Sequence, residues 1–265
     1  MSRYFFDLTR KCWLSSQDYV VSDSCRSVIL LVHGQPGNGE LWGDLPSHLA
    51  DSFDVLSYDR PGWGSNLDEP LDLAGNSRIL DEEIKKVRSA FSLTGSGSRP
   101  LVVLGYSYGG AIVLGSKEVV DDESISVLLV APAAEVSSIG EMDRLFETKF
   151  VGQLLSLISA TLSKIATRDK VLGVLRHAHS LWYESVTMRS DFEALSKTLP
   201  LQRPVIVVAG LRDRIVPPTS ISKLAFWLNN PDIEWVTHGS HLVVWRSPNV
   251  IAEIARSRAV KSRKV

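Results

Sequence analysis

Gly105-Tyr106-Ser107-Tyr108-Gly109 follows the apolar run Pro100 to Leu104 without a break and leads straight into a second apolar run, Gly110 to Leu114. A serine with glycine two residues away on either side, at a junction between strand and helix, meets the steric demand of a nucleophile elbow. The turn is too sharp for a bulky side chain at either flank. Glycine lets strand, helix and neighbouring backbone approach, and the serine is pushed clear of the sheet. Five residues of this kind arise easily by chance, so the weight falls on their surroundings.

Those surroundings alternate. Val28 to Val32, Phe53 to Tyr58, Pro100 to Leu104, Ile125 to Val130, Val205 to Ala209 and Ile233 to Thr237 are near-continuous β-type runs, as expected of strands covered on both faces. Between them, Leu80, Ile84, Val87 and Phe91 share one helical face, and Leu41 to Ala50, Pro217 to Leu228 and Pro248 to Ser257 also read as helices. Tyr4 to Leu8 and Trp13 to Val21 fit two antiparallel strands at one edge. The pattern predicts an α/β protein with a mostly parallel, doubly wound sheet of about eight strands.

Residues 134–200 interrupt the alternation. Glu141 to Ile165 and Lys170 to Thr198 carry helical periodicity and no convincing strand, with an apolar stripe at Phe150, Leu154, Leu157, Ile158, Leu162 and Ile165. Ordinary packing onto the body explains part of that stripe. The position, between one core strand and the next, suggests a helical cap over a pocket. The expected organisation is therefore a core of residues 1–133 and 201–265 with a cap of residues 134–200.

The 265 residues are 44% hydrophobic and 22% charged, enough for one large core. Lys and Arg total 29 against 30 acidic residues, a formal net charge of -1, which argues against a surface built for nucleic acid. The basic stretch from Arg256 to Lys264 reads as a solvated tail. Cys12 and Cys25 form neither a disulfide framework nor a zinc motif, although a bridge between them stays open. With no secretory signal pattern and no apolar stretch of membrane-spanning length, the expectation is a cytoplasmic protein without a membrane span.

A serine hydroxyl needs an adjacent base, itself oriented by a third group. Both partners belong on loops at the carboxyl ends of strands. Asp213 stands just past the run ending at Ala209, and His241 just past the run ending near Thr237. The order Ser, Asp, His is the one expected for a strand-turn-helix nucleophile scaffold. An oxyanion hole needs backbone N–H donors. The glycine-rich turn His33-Gly34-Gln35-Pro36-Gly37 suits one such donor, from Gln35, and Tyr108 at the start of the following helix suits the other.

With these residues in order, the chain resembles the α/β-hydrolase fold superfamily, in the serine-nucleophile branch with an HGxPG loop. The matching segments are His33 to Gly37, Tyr58-Asp59-Arg60-Pro61-Gly62-Trp63-Gly64, Gly105 to Gly109, Gly210 to Pro217 and His241. The resemblance implies Ser107 as nucleophile, His241 as base, Asp213 as acid, and Gln35 and Tyr108 as backbone oxyanion donors. Tyr106 and Tyr108 depart from the residues frequent beside the family's serine. Serine at 107 argues against the dehalogenase and epoxide hydrolase subfamilies, which use aspartate.

Several residues compete for these roles. His238 is a rival base and Glu135 a rival acid, with structural roles favoured for His238. Asp59 is expected to anchor a turn, and His33 to brace the oxyanion loop. His48, His177 and His179 fit surface or cap-packing roles, the last two within reach of substrate. The Tyr108 ring and Leu242 are candidate substrate contacts. The expected activity is cofactor-free and metal-free hydrolysis of a carboxylic ester of a small apolar molecule. Carbon–carbon bond hydrolysis of ring-fission diketones, perhydrolysis and non-catalytic ligand binding are the alternatives.

Overall fold

A computed structural model of the chain describes residues 4–7, 12–15, 27–93, 100–136, 168–198, 201 and 204–259. Its centre is an eight-stranded sheet in the order β2-β1-β4-β3-β5-β6-β7-β8. The strands are β1 (Tyr4–Asp7), β2 (Cys12–Ser15), β3 (Ser27–Val32), β4 (Phe53–Tyr58), β5 (Leu101–Tyr106), β6 (Ile125–Val130), β7 (Val205–Gly210) and β8 (Asp232–Val236). From β4 to β8 every neighbouring pair is parallel, while β1 pairs antiparallel with both β2 and β4. The expected edge hairpin is present in those eight residues; the remainder of Trp13 to Val21 lies outside the described residues.

Alternation along β3 to β7 builds two cores. Val28, Leu30 and Val32 of β3 join Val103, Val127 and Val207 beneath helices α2 (Leu73–Leu93), α3 (Tyr108–Gly115) and α4 (Lys117–Asp121). Ile29 and Leu31 join Leu104, Leu128 and Val208 on the opposite face. There the cover is α1 (Leu45–Leu49), α7 (Val243–Arg246) and α8 (Pro248–Ile254), which passes into a wider π-helical turn over Ala255–Ala259. Burial on both faces explains why these strands read as unbroken apolar runs. Helix α5 (Arg168–Ser196) and helix α6 (Pro218–Trp227) lie on the α2 side, where Met188, Phe192, Ile221 and Leu224 enter the core.

Several boundaries differ from expectation. Helix α1 starts only at Leu45, because Gly43 has φ +58° and Pro46 supplies no N–H and favours a helix's first turn. Strand β5 continues through Tyr106, so the elbow's first two residues still belong to the sheet. Helices α4 and α7 are single turns, too short to leave a periodic signature. Glu141 to Ile165, with its apolar stripe, lies outside the described residues, as do Cys25 and the basic tail beyond Ala259.

The strand order places the site. From β3 the chain moves outward to β4 and then returns across β3 to β5. Loops leaving the carboxyl ends of β3 and β5 therefore diverge, opening the crevice where ligands bind in open α/β sheets.

Candidate active site

Ser107 stands alone between β5 and α3, with φ 53° and ψ -123°. This is a strained conformation for a residue with a side chain, and neighbouring backbone holds it in place. Ser107 N–H donates to Val130 O at 3.0 Å, while its carbonyl accepts from Gly110 N at 2.8 Å and Ala133 N at 3.0 Å. The flanking glycines are obligatory for contact. A Cβ on Gly105 would lie 2.6 Å from Gly109 O, and one on Gly109 would lie 2.1 Å from Val32 O.

The structure brings Ser107, His241 and Asp213 together. His241 Nε2 is 2.9 Å from Ser107 Oγ, and His241 Nδ1 is 2.8 Å from Asp213 Oδ2. The second carboxylate oxygen of Asp213 accepts from Ile215 N at 2.8 Å and Val216 N at 2.9 Å, which fixes its orientation. All three residues are buried. In this arrangement Nδ1 carries the proton that Asp213 accepts, leaving Nε2 to accept from the serine hydroxyl. The loops bearing acid and imidazole are tied together: Arg212 N donates to Gly239 O at 2.8 Å and Leu211 N to Val236 O at 3.1 Å. His238 is exposed in the turn after β8, and His241 is the imidazole on Ser107 Oγ. Glu135 follows β6, and Asp213 is the carboxylate on His241 Nδ1.

Tyr106, singled out above only as a departure, supports the imidazole. Its hydroxyl donates to His241 O at 3.1 Å, and the two rings stand 5.4 Å apart. Burial, followed by the Asp213 charge, pushes the Tyr106 hydroxyl pKa well up, so it remains a donor. Trp245 packs edge-on against Tyr106 at 5.4 Å. Leu242, next to His241, is 43% exposed.

The loop after β3 runs beside the serine. A Cβ on Gly34 would fall 2.8 Å from Ser107 Cβ and 3.4 Å from its Oγ. His33 Nδ1 donates to Gly34 O at 2.8 Å, and His33 Nε2 accepts from Arg60 N at 3.2 Å. Burial, reinforced by Arg60, lowers the His33 pKa well below the usual imidazole value and keeps it neutral. Tyr108 N opens α3, where the first N–H groups have no partner within the helix. The Tyr108 ring is buried against Phe192 at 6.3 Å, with the Arg60 guanidinium 5.3 Å from its centroid. Its hydroxyl and both polar atoms of the Gln35 amide are buried without a hydrogen-bond partner among the described residues.

Asp59 anchors its turn by accepting from Gly39 N at 2.6 Å, Ser65 N at 2.6 Å and Ser65 Oγ at 2.8 Å. Arg60 is fully buried and forms a two-armed ion pair with the equally buried Glu184 of α5; the second arm, Nη2 to Oε2, is 3.3 Å. Trp63 Nε1 also donates to Glu184, at 2.9 Å. Burial raises the Glu184 pKa, and the Arg60 charge and the hydrogen bonds oppose the rise. The available signal was Glu184's place on the buried face shared by Ser180, Leu181, Met188, Phe192 and Leu195. A carboxylate in such a stripe requires a partner. Sequence distance hid which one.

Helix α5 makes further contacts with the 60–65 loop. Ser180 Oγ donates to Gly62 O at 2.8 Å, His177 Nε2 accepts from Gly64 N at 3.1 Å, and Arg176 donates to Gly64 O. His177 stacks on Trp63 at 5.6 Å, while His179 stacks on the exposed Trp182. Among the described residues, no cluster of His, Cys, Asp or Glu is placed to hold a metal ion. No described helix is long and apolar enough to cross a membrane.

Comparison with known proteins gives consistent matches. A model described as the alpha/beta hydrolase family covers residues 29–254. Monoacylglycerol lipase ABHD6 of Bos taurus is 20% identical over 250 residues, 85% of this chain and 73% of the relative. Pimeloyl-[acyl-carrier protein] methyl ester esterase of Stenotrophomonas maltophilia is 20% identical over 232 residues, 80% of this chain and 85% of the relative. Lipase LipV of Mycobacterium tuberculosis is 25% identical over 109 residues, 40% of this chain and only 37% of the relative. Among solved structures, an alpha/beta hydrolase fold protein from Burkholderia ambifaria has a TM-score of 0.62 at 22% identity, covering 88% of this chain and 91% of that one. A thermophilic esterase from Thermogutta terrifontis has a TM-score of 0.61 at 17% identity, covering 89% and 92%.

Proposed function

The chain belongs to the alpha/beta hydrolase family, and from that premise we propose that it is a serine hydrolase cleaving carboxylic esters of small, largely apolar molecules. The observation carrying this reading is the unbroken hydrogen-bond chain from Asp213 through His241 to Ser107, at 2.8 and 2.9 Å, ending on a strained serine. Two relatives named as lipases and one named as a methyl ester esterase support the ester as the bond attacked.

In this mechanism Ser107 Oγ forms a bond to the acyl carbon as its proton passes to His241 Nε2. The carbonyl π electrons move onto oxygen, and the resulting oxyanion accepts from Gln35 N–H and Tyr108 N–H. Asp213 holds the imidazole in the required tautomer and stabilises the imidazolium. Collapse of the tetrahedral intermediate breaks the bond to the alcohol oxygen, which leaves with the His241 proton. Water then repeats the sequence on the acyl-enzyme, giving up a proton to His241 and releasing the acid and the free serine.

Residues 134–200 are the proposed cap; 137–167 and 199–200 lie outside the described residues, and α5 is its main described portion. Its contacts from Arg176 to Phe192 with the 60–65 loop and Tyr108 support that assignment. The Tyr108 ring and Leu242 are the proposed substrate contacts. A fluorophosphonate probe and a p-nitrophenyl ester series of increasing acyl length test the proposal. Wild-type protein should label and turn over. Ser107→Ala should do neither while keeping the wild-type circular dichroism spectrum. Ester turnover at the wild-type rate in Ser107→Ala would refute it.

A further inference from the structure

We propose that Arg60 and Glu184 are positioning residues for the oxyanion hole, linking helix α5 to the peptide that supplies one of its donors. The inference rests on the serine mechanism above.

The carbonyl of Gly34 and the N–H of Gln35 belong to one peptide unit. That unit is trans, since the cis bond in this segment is the next one, Gln35–Pro36. In a planar trans peptide the C=O and N–H point in opposite directions, so whatever fixes the carbonyl aims the N–H. Gly34 O accepts from two sides: His33 Nδ1 at 2.8 Å and Arg60 Nη2 at 3.0 Å. The second is a charge-assisted bond, stronger than one between neutral groups. A cation drawing on the carbonyl oxygen also polarises the amide, making its N–H a better donor.

Arg60 is held in turn. Its backbone N–H donates to His33 Nε2, which closes a ring through His33, Gly34 and Arg60. Both guanidinium amino groups bond the Glu184 carboxylate, and Nη1 also reaches Asn76 Oδ1 at 3.5 Å. A lysine ammonium cannot reproduce this fork, in which one planar group serves Glu184 and Gly34 O together. The pair is fully buried, and a pair that served only folding could be replaced by uncharged residues of similar size. The second bond of Arg60, to the carbonyl behind the proposed donor, gives the charges a use in catalysis.

The test separates positioning from folding. Arg60→Met combined with Glu184→Gln removes both charges while leaving Trp63 an acceptor, and Arg60→Lys is the conservative companion. Active sites are titrated with a fluorophosphonate, and kcat and KM for a p-nitrophenyl ester are measured per titrated site. Affinity for an alkyl trifluoromethyl ketone is measured alongside. Removing a whole oxyanion donor typically lowers turnover ~10²–10³-fold, so misplacing one should lower kcat roughly 10–100-fold. KM should stay within about threefold, and ketone affinity should fall in parallel with kcat, the signature of a contact made only in the transition state.

The double variant should melt near the wild type yet stay slow. Per-site kcat within threefold of wild type in either folded variant would overturn the proposal and leave the serine mechanism standing. Failure of both variants to fold would assign the pair to stability alone and overturn it too. Absence of wild-type labelling would remove the serine mechanism, and this proposal with it.

Discussion

The Tyr106 hydroxyl shows how much of the site rests on single contacts to the backbone. It donates to the carbonyl of His241, so the residue before the serine helps position the imidazole. Tyr106→Phe leaves that buried carbonyl without this donor and is expected to lower stability by about 1–3 kcal/mol, measured by chemical denaturation. Under the proposed serine mechanism, a fall in kcat with little change in KM should accompany it, because ring position then matters most as the proton moves. Equal stability of the two proteins would show that the bond contributes nothing. At this scale the sequence was most informative for residues whose neighbours are local. Ser107, Asp213 and His241 each follow a strand end, and side chains at that end converge once the sheet forms. Arg60 and Glu184 lie 124 positions apart, and no local spacing relates them. Tyr106 was visible only as an unusual residue, since its partner is a main-chain atom that carries no sequence signature.

At the scale of elements, helix α5 divides into buried and exposed faces with different expected sensitivities. Phe192 is 0% exposed and packs against Tyr108, whereas Trp182 on the same helix is 61% exposed. Phe192→Ala should lower stability by about 3–5 kcal/mol, as for other buried aromatic residues. Trp182→Ala should change it by no more than about 0.5 kcal/mol. Paired urea denaturation curves check both, and similar losses would mean that the helix is anchored differently. Strands β3 to β7 were legible because two-sided burial demands continuous apolar runs. Short helices were not, because four or five residues complete barely one turn. Helix α1 is shorter than its apolar pattern, which extends across Gly43, whose backbone conformation stops the helix.

For the whole molecule, pH couples to folding through a group that takes no part in the proposed proton transfer. His33 is buried and its pKa is lowered, so between its folded value and the ordinary 6.5 the unfolded chain binds more protons. Stability therefore rises with pH across that interval. The contribution is complete above pH 6.5 and is lost as pH falls toward the folded value. The limiting slope is about 1.4 kcal/mol per pH unit. Glu184 and Asp191, whose pKa values burial raises, act in the opposite sense: their folded forms hold protons at a higher pH than the unfolded chain does. Comparing His33→Gln with wild type at pH 7.5, 6.5 and 5.5 isolates the histidine. The variant should show the flatter profile, and parallel profiles would contradict the assignment.

Gly210 and Gly239 also matter at this scale. A Cβ on Gly210 would lie 2.3 Å from Gly239 O, so the loop after β7 and the loop after β8 touch main chain to main chain. Together with the Arg212 and Leu211 hydrogen bonds, this contact ties the two loops to each other. Under the proposed mechanism the spacing between Asp213 and His241 is thereby built into the main chain of two loops, and Ser107 meets that pair from a third, the turn after β5.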